Sequence, residues 1–130
     1  MNCRILFAAV VLALGVMCVS QTEVIALADA PKLEAKHRRA YVNDVQPVFS
    51  RNCIGCHAGS NAKAGLNLTN LDGLLKGSKN GAVIEYGNSS SSSIYQMIQK
   101  DAQKHMPPKK QLKDKEIDSI MKWIDSLPTS

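Results

Sequence analysis

The chain has 130 residues, with 16 Lys and Arg against 11 Asp and Glu, a formal charge of +5, and only 5% aromatic residues. That length gives a single domain with a modest core. The basic balance suits an acidic membrane, an acidic protein or nucleic acid, but no nucleic-acid motif and no aromatic–basic interleaving accompany it, so nucleic acid is excluded as the partner.

Residues 1–28 read as a secretory signal peptide. Arg4 supplies the positive start, Ile5 to Val19 is almost wholly apolar, and Ala26-Leu27-Ala28 is a small-x-small cleavage site. The apolar run falls short of the about 20 residues that a membrane span needs. Cleavage after Ala28 leaves no membrane span in the mature chain and removes Cys3 and Cys18; the alternative is an uncleaved anchor. The formal charge is unchanged by the cut, because it removes one Arg and one Glu.

Residues 29–40 form a charged leader segment without a long apolar stripe, in which His37 reads as a solvated histidine. Residues 41–130 form the domain proper. Tyr41, Val45, Val48, Phe49 and Cys53 recur at helical spacing, which predicts a helix from Tyr41 to Cys53. Asn43 or Asp44 is the expected cap, with Pro47 in or just after the first turn, where its missing N–H costs least.

This helix delivers Cys53-Ile54-Gly55-Cys56-His57, the attachment pattern of a c-type haem. Each thiol can add across one haem vinyl group, the spacing of three puts both sulfurs on one side of a helical turn, and the adjacent imidazole can bind the iron. Gly55 leaves room for the macrocycle. A redox dithiol would call for a βαβ context that is not visible, and a structural zinc site needs four ligands. Beyond the pentapeptide the exported chain offers only His37 and His105. The motif and the export signal agree, since covalent haem attachment takes place on the oxidising side of a membrane.

From Ala58 to Asn88 glycines punctuate the chain, and Leu66, Leu68, Leu71, Leu74 and Leu75 mark one helix near Asn70–Lys76, capped by Thr69 or Asn70. The serines of 89–93 read as the start of a helix running to about Lys104, with Ile94, Met97 and Ile98 as its buried stripe. Lys104-His105-Met106-Pro107-Pro108 follows as an extended strap, since two prolines forbid helix. Leu112 to Leu127 carries the best helical pattern, with Ile117, Ile120, Met121, Ile124 and Leu127 on one face. Lys113 or Asp114 caps it, Glu116 is at the third position, and Trp123 covers a neighbouring helix or a haem edge.

Met97 and Met121 lie on apolar faces and read as core, whereas Met106 lies between lysine-rich stretches and reads as a ligand through its thioether, with His105 as the rival. The chain resembles the small class I cytochromes c, most closely the planctomycete-type cytochrome c domain. The resemblance rests on Asp44 to Phe49, the haem pentapeptide, Gly65-Leu66-Asn67-Leu68, Gly77 to Gly87, Ser93-Ile94-Tyr95, His105 to Pro108, Glu116-Ile117 and Trp123-Ile124-Asp125. It implies an all-α fold of about four to five helices and loops wrapped around one covalently bound haem c. It also implies His57 as proximal and Met106 as distal iron ligand. Ala58 and Lys113 depart from the family pattern, where glycine and a serine or threonine cap are usual.

With both axial positions filled, the iron exchanges an electron without binding substrate. No acid–base pair, nucleophile or phosphate loop accompanies it, so the reading is a periplasmic or otherwise exported electron carrier and not an enzyme. The alternatives are a peroxidase-like haem enzyme, a gas sensor with a labile sixth ligand, or an electron-transfer subunit dedicated to one dehydrogenase. Between Lys100 and Lys115 six lysines face two aspartates, which points to redox partners with an acidic docking face near Lys109 and Lys110.

Overall fold

A computed structural model describes residues 33–129, so the signal-peptide reading and the first leader residues lie outside the described residues. The helix expected from Tyr41 begins earlier and runs through three parts: α1 (Ala35–Ala40), a π-helical turn (Tyr41–Val45) and α2 (Gln46–Asn52). Asn43 and Asp44 are therefore interior residues and cap nothing. The wide turn has a local cause. Pro47 has no N–H for the Asn43 carbonyl and its ring crowds that carbonyl, so the preceding turn opens and Gln46 N–H reaches back to Tyr41 O. The wide turn also serves packing. A spacing of four drifts by about 40° per step on an ideal helix, and the π turn takes up part of that drift, keeping His37, Tyr41 and Val45 on one buried face.

That corrects the reading of His37 as solvated: it is 6% exposed. Its carbonyl accepts from Trp123 Nε1 at 3.0 Å, and its Nδ1 lies 3.4 Å from Ser126 Oγ. The leader thus docks on the last helix, because Leu33 and His37 continue the apolar stripe of Tyr41. Trp123 packs on the Tyr41 ring at 5.2 Å between centroids, which settles its role as helix packing.

Then come α3 (Leu71–Lys76), α4 (Ser93–Met97) and α5 (Asp114–Asp125). Asn70 caps α3, its side-chain oxygen accepting from Gly73 N–H at 2.8 Å. Gly77 stops α3 at φ 81°, a conformation that costs glycine nothing. Helix α4 is much shorter than expected. It ends at Met97, whose carbonyl accepts from Met106 N–H at 2.7 Å, so the strap folds back on the helix instead of extending from it. Nor does serine cap α4 through its side chain: the Ser92 hydroxyl binds Asn88 O and Glu85 O and accepts from Glu85 N–H, holding the preceding loop. On α5 the cap residue is Lys113. Lysine carries no acceptor, so only half of the capping box forms, with Glu116 Oε2 accepting from Lys113 N–H at 3.0 Å.

Among the described residues there is no strand beyond one isolated bridge, Ser78 with Gly81. The core lies between the π turn, α2 and α5, with Val45, Phe49, Leu74, Ile120 and Ile124 almost fully buried. It places the end of α2, and so the pentapeptide, beside the start of α5.

Candidate haem site

Cys53 follows directly on α2, whose last turn holds it by a bond from its N–H to Phe49 O at 2.8 Å. Its carbonyl accepts from both Cys56 N–H (3.1 Å) and His57 N–H (3.0 Å), so the pentapeptide winds one further turn. The next loop then locks that turn from outside: Lys63 N–H donates to Cys56 O at 2.9 Å and Leu68 N–H to His57 O at 2.8 Å.

The two thiols are not joined to each other. Cys53 is half-buried and packs against the core, and Cys56 is exposed. Burial, and then the nearby Glu116 carboxylate, push the Cys53 thiol up to about 11. A thiol that stays protonated at neutral pH is a poor redox nucleophile, which counts against the dithiol reading. Among the described residues no three His, Cys, Asp or Glu come together, whereas a structural zinc site takes four ligands.

His57 is half-buried, and its Nδ1 lies 3.3 Å from Leu66 O. A carbonyl only accepts, so this contact puts the ring proton on Nδ1 and leaves the lone pair on Nε2. Metal-binding histidines are commonly oriented in this way. The donor set therefore fits a c-type haem: two free thiols on one turn and an imidazole with Nε2 available. A Cβ at Gly55 would meet nothing within 4 Å, so the protein's own packing does not require glycine there.

Met106 and Pro107 are half-buried, and the strap turns at Lys110, whose N–H donates to Pro107 O at 3.3 Å. The prolines thus support a bend, not the extended strap expected. Next to Met106, the Nε2 of His105 is shut from solvent with no hydrogen-bond partner among the described residues. Met97, expected in the core, is 42% exposed, whereas Met121 is half-buried and accepts from the Tyr95 hydroxyl at 3.4 Å.

One feature escaped the sequence reading. Arg51, Asn52, Lys110 and Glu116 meet directly beside Cys53: Asn52 Nδ2 donates to Glu116 Oε1 at 3.3 Å, Arg51 Nη2 lies 3.5 Å from the same oxygen, and Lys110 Nζ donates to Asn52 Oδ1 at 2.7 Å. The available signal was Glu116 at the third position of α5, an acidic residue on the helix's buried side.

No curated protein and no solved structure matches the chain. The family model described as Planctomycete cytochrome C matches residues 53–110, from the first cysteine of the pentapeptide to the second lysine after the strap prolines, so over this stretch the chain is similar to that family.

Proposed function

We propose that the protein is an exported mono-haem c-type cytochrome that carries one electron between redox proteins. Cys53 and Cys56 are its thioether anchors, and His57 and Met106 its axial ligands. His57 carries the reading: its Nδ1 is engaged by Leu66 O, so Nε2 is the free donor, on the same turn as two unpaired thiols. A bound haem c supplies a one-electron iron couple, and a thioether ligand raises its potential. The chain's part is to hold the imidazole tautomer, fix the strap that bears Met106, and surround the group with apolar side chains. The cytochrome c domain supports electron transfer as the activity.

The orphaned His105 Nε2 favours a second reading, in which His105 replaces Met106 as distal ligand. One optical spectrum of the purified holoprotein decides between them. A sulfur-to-iron charge-transfer band in the oxidised form, lost in Met106→Ala and kept in His105→Ala, supports Met106. A wild type that lacks the band, with a low-spin spectrum that Met106→Ala keeps and His105→Ala loses, supports His105. Haem that extracts freely into acid solvent from the wild type overturns covalent attachment through Cys53 and Cys56.

A further inference from the structure

Asn52 joins three stretches of chain that are distant in sequence. It is the last residue of α2 and immediately precedes Cys53. Its Nδ2 donates to Val48 O at 2.9 Å and to Glu116 Oε1 at 3.3 Å, while its Oδ1 accepts from Lys110 Nζ at 2.7 Å. The orientation of the amide is decided by charge. An ammonium only donates and a carboxylate only accepts, so a flipped Asn52 would oppose both neighbours. Glu116 is itself fixed, being 8% exposed and held by Lys113 N–H. The amide is therefore anchored on the motif side and presents its oxygen to the strap.

The strap's other hydrogen bonds lie elsewhere. Met106 N–H binds Met97 O, and Gln111 Nε2 binds Ile98 O at 3.5 Å, both towards α4. The Lys110–Asn52 bond crosses from the strap, four residues after Met106, to the residue beside the first cysteine.

We propose that Asn52 is a positioning residue that, through Lys110, fastens the Met106 strap to the segment bearing the haem attachment. The inference rests on Met106 being the distal ligand. The strap has two states, with Met106 on or off the iron, and the Lys110–Asn52 bond forms in the first. Its loss shifts the balance towards the open state by the free energy of that bond. A charge-assisted bond at a partly exposed site corresponds to about a five-fold shift.

The test measures carbon monoxide binding to the ferrous holoprotein and the intensity of the ferric sulfur charge-transfer band. Lys110→Met is expected to speed carbon monoxide binding about five-fold and weaken the band, with the protein still folding cooperatively and its unfolding midpoint lowered by no more than the loss of that one bond, since Lys110 is exposed. Lys110→Arg, which retains a cationic donor, restores wild-type behaviour. Asn52→Leu is expected to act at least as strongly. Adding Lys110→Met to it changes nothing further, because the two residues act through one bond. Unchanged binding in Lys110→Met, or independent addition of the two substitutions, overturns the proposal while the band still identifies Met106. A wild-type protein without the band overturns the Met106 reading and this proposal with it.

Discussion

The backbone N–H of Met106 donates to the carbonyl of Met97 at 2.7 Å, so the two methionines leave the chain at neighbouring points although only one of them has the strap's setting. Their exposures separate what each substitution tests. Met97 is 42% exposed and its side chain contributes little burial, so Met97→Ala is expected to cost less than about 1 kcal/mol of stability and to leave the spectrum intact. Met106→Ala is expected to abolish the sulfur band, lower the potential and open the iron to carbon monoxide. Loss of the band in Met97→Ala instead would show that the wrong methionine has been chosen.

Tyr41 is 1% exposed, and its hydroxyl is buried without a partner among the described residues. Burial drives its pKa up, so the group stays neutral. Tyr41→Phe removes an unsatisfied polar atom and keeps the ring packed at a tilt against Phe49 and Trp123. The variant is expected to be as stable as the wild type or more stable by up to about 1 kcal/mol in denaturant unfolding. A loss of more than about 1 kcal/mol would mean that the hydroxyl has a partner in the holoprotein.

Glu116 titrates below its ordinary value of 4.5, because Lys113 N–H favours its ionised form and, against the opposing effect of burial, Asn52 and Arg51 do the same. A carboxylate with a depressed folded-state pKa stabilises fully above its unfolded value, and that stability disappears as pH falls through the folded value. Glu116→Gln should therefore be less stable than wild type at neutral pH, and the gap should close as the medium is acidified below 4.5. Denaturant midpoints across that range measure it. A gap that is constant with pH would assign the loss to packing instead of charge.

The strap lysines remain the proposed docking face, with a change in which of them matter. Lys110 is engaged by Asn52 and Lys100 by Asp114 at 2.7 Å, whereas Lys104 and Lys109 are exposed with no ion pair among the described residues. Lys104→Glu with Lys109→Glu is expected to slow electron exchange with an acidic partner and flatten its salt dependence, without altering the spectrum. Lys36→Glu with Arg39→Glu, on the helix that docks at the far end of α5, should do much less. Helix α5 separates the two ends by about 18 Å, roughly twice the screening length at physiological salt. Equal slowing by both pairs would point to net charge alone.

The sequence by itself determined whatever depends on neighbours along the chain. The pentapeptide, the Asn70 cap, the α5 stripe and the resemblance that the family match at residues 53–110 supports were legible because spacing within one or two helical turns fixes which side chains share a face. Tertiary structure decided the rest. His37 and Leu33 are buried because α5 supplies a surface for them, and no pattern within residues 29–40 contains that surface. Met97 is exposed although its spacing from Ile94 is helical, because the strap folds back and ends α4 at that residue. The π turn was hidden for a related reason: helical periodicity does not show that Pro47 opens the turn before it. Asn52, Lys110 and Glu116 lie 58 and 64 residues apart from the first to each of the others, so only the folded chain could bring them to Cys53. Hydrogen bonds across such separations carry no periodic signal, because each depends on where two independent elements come to rest.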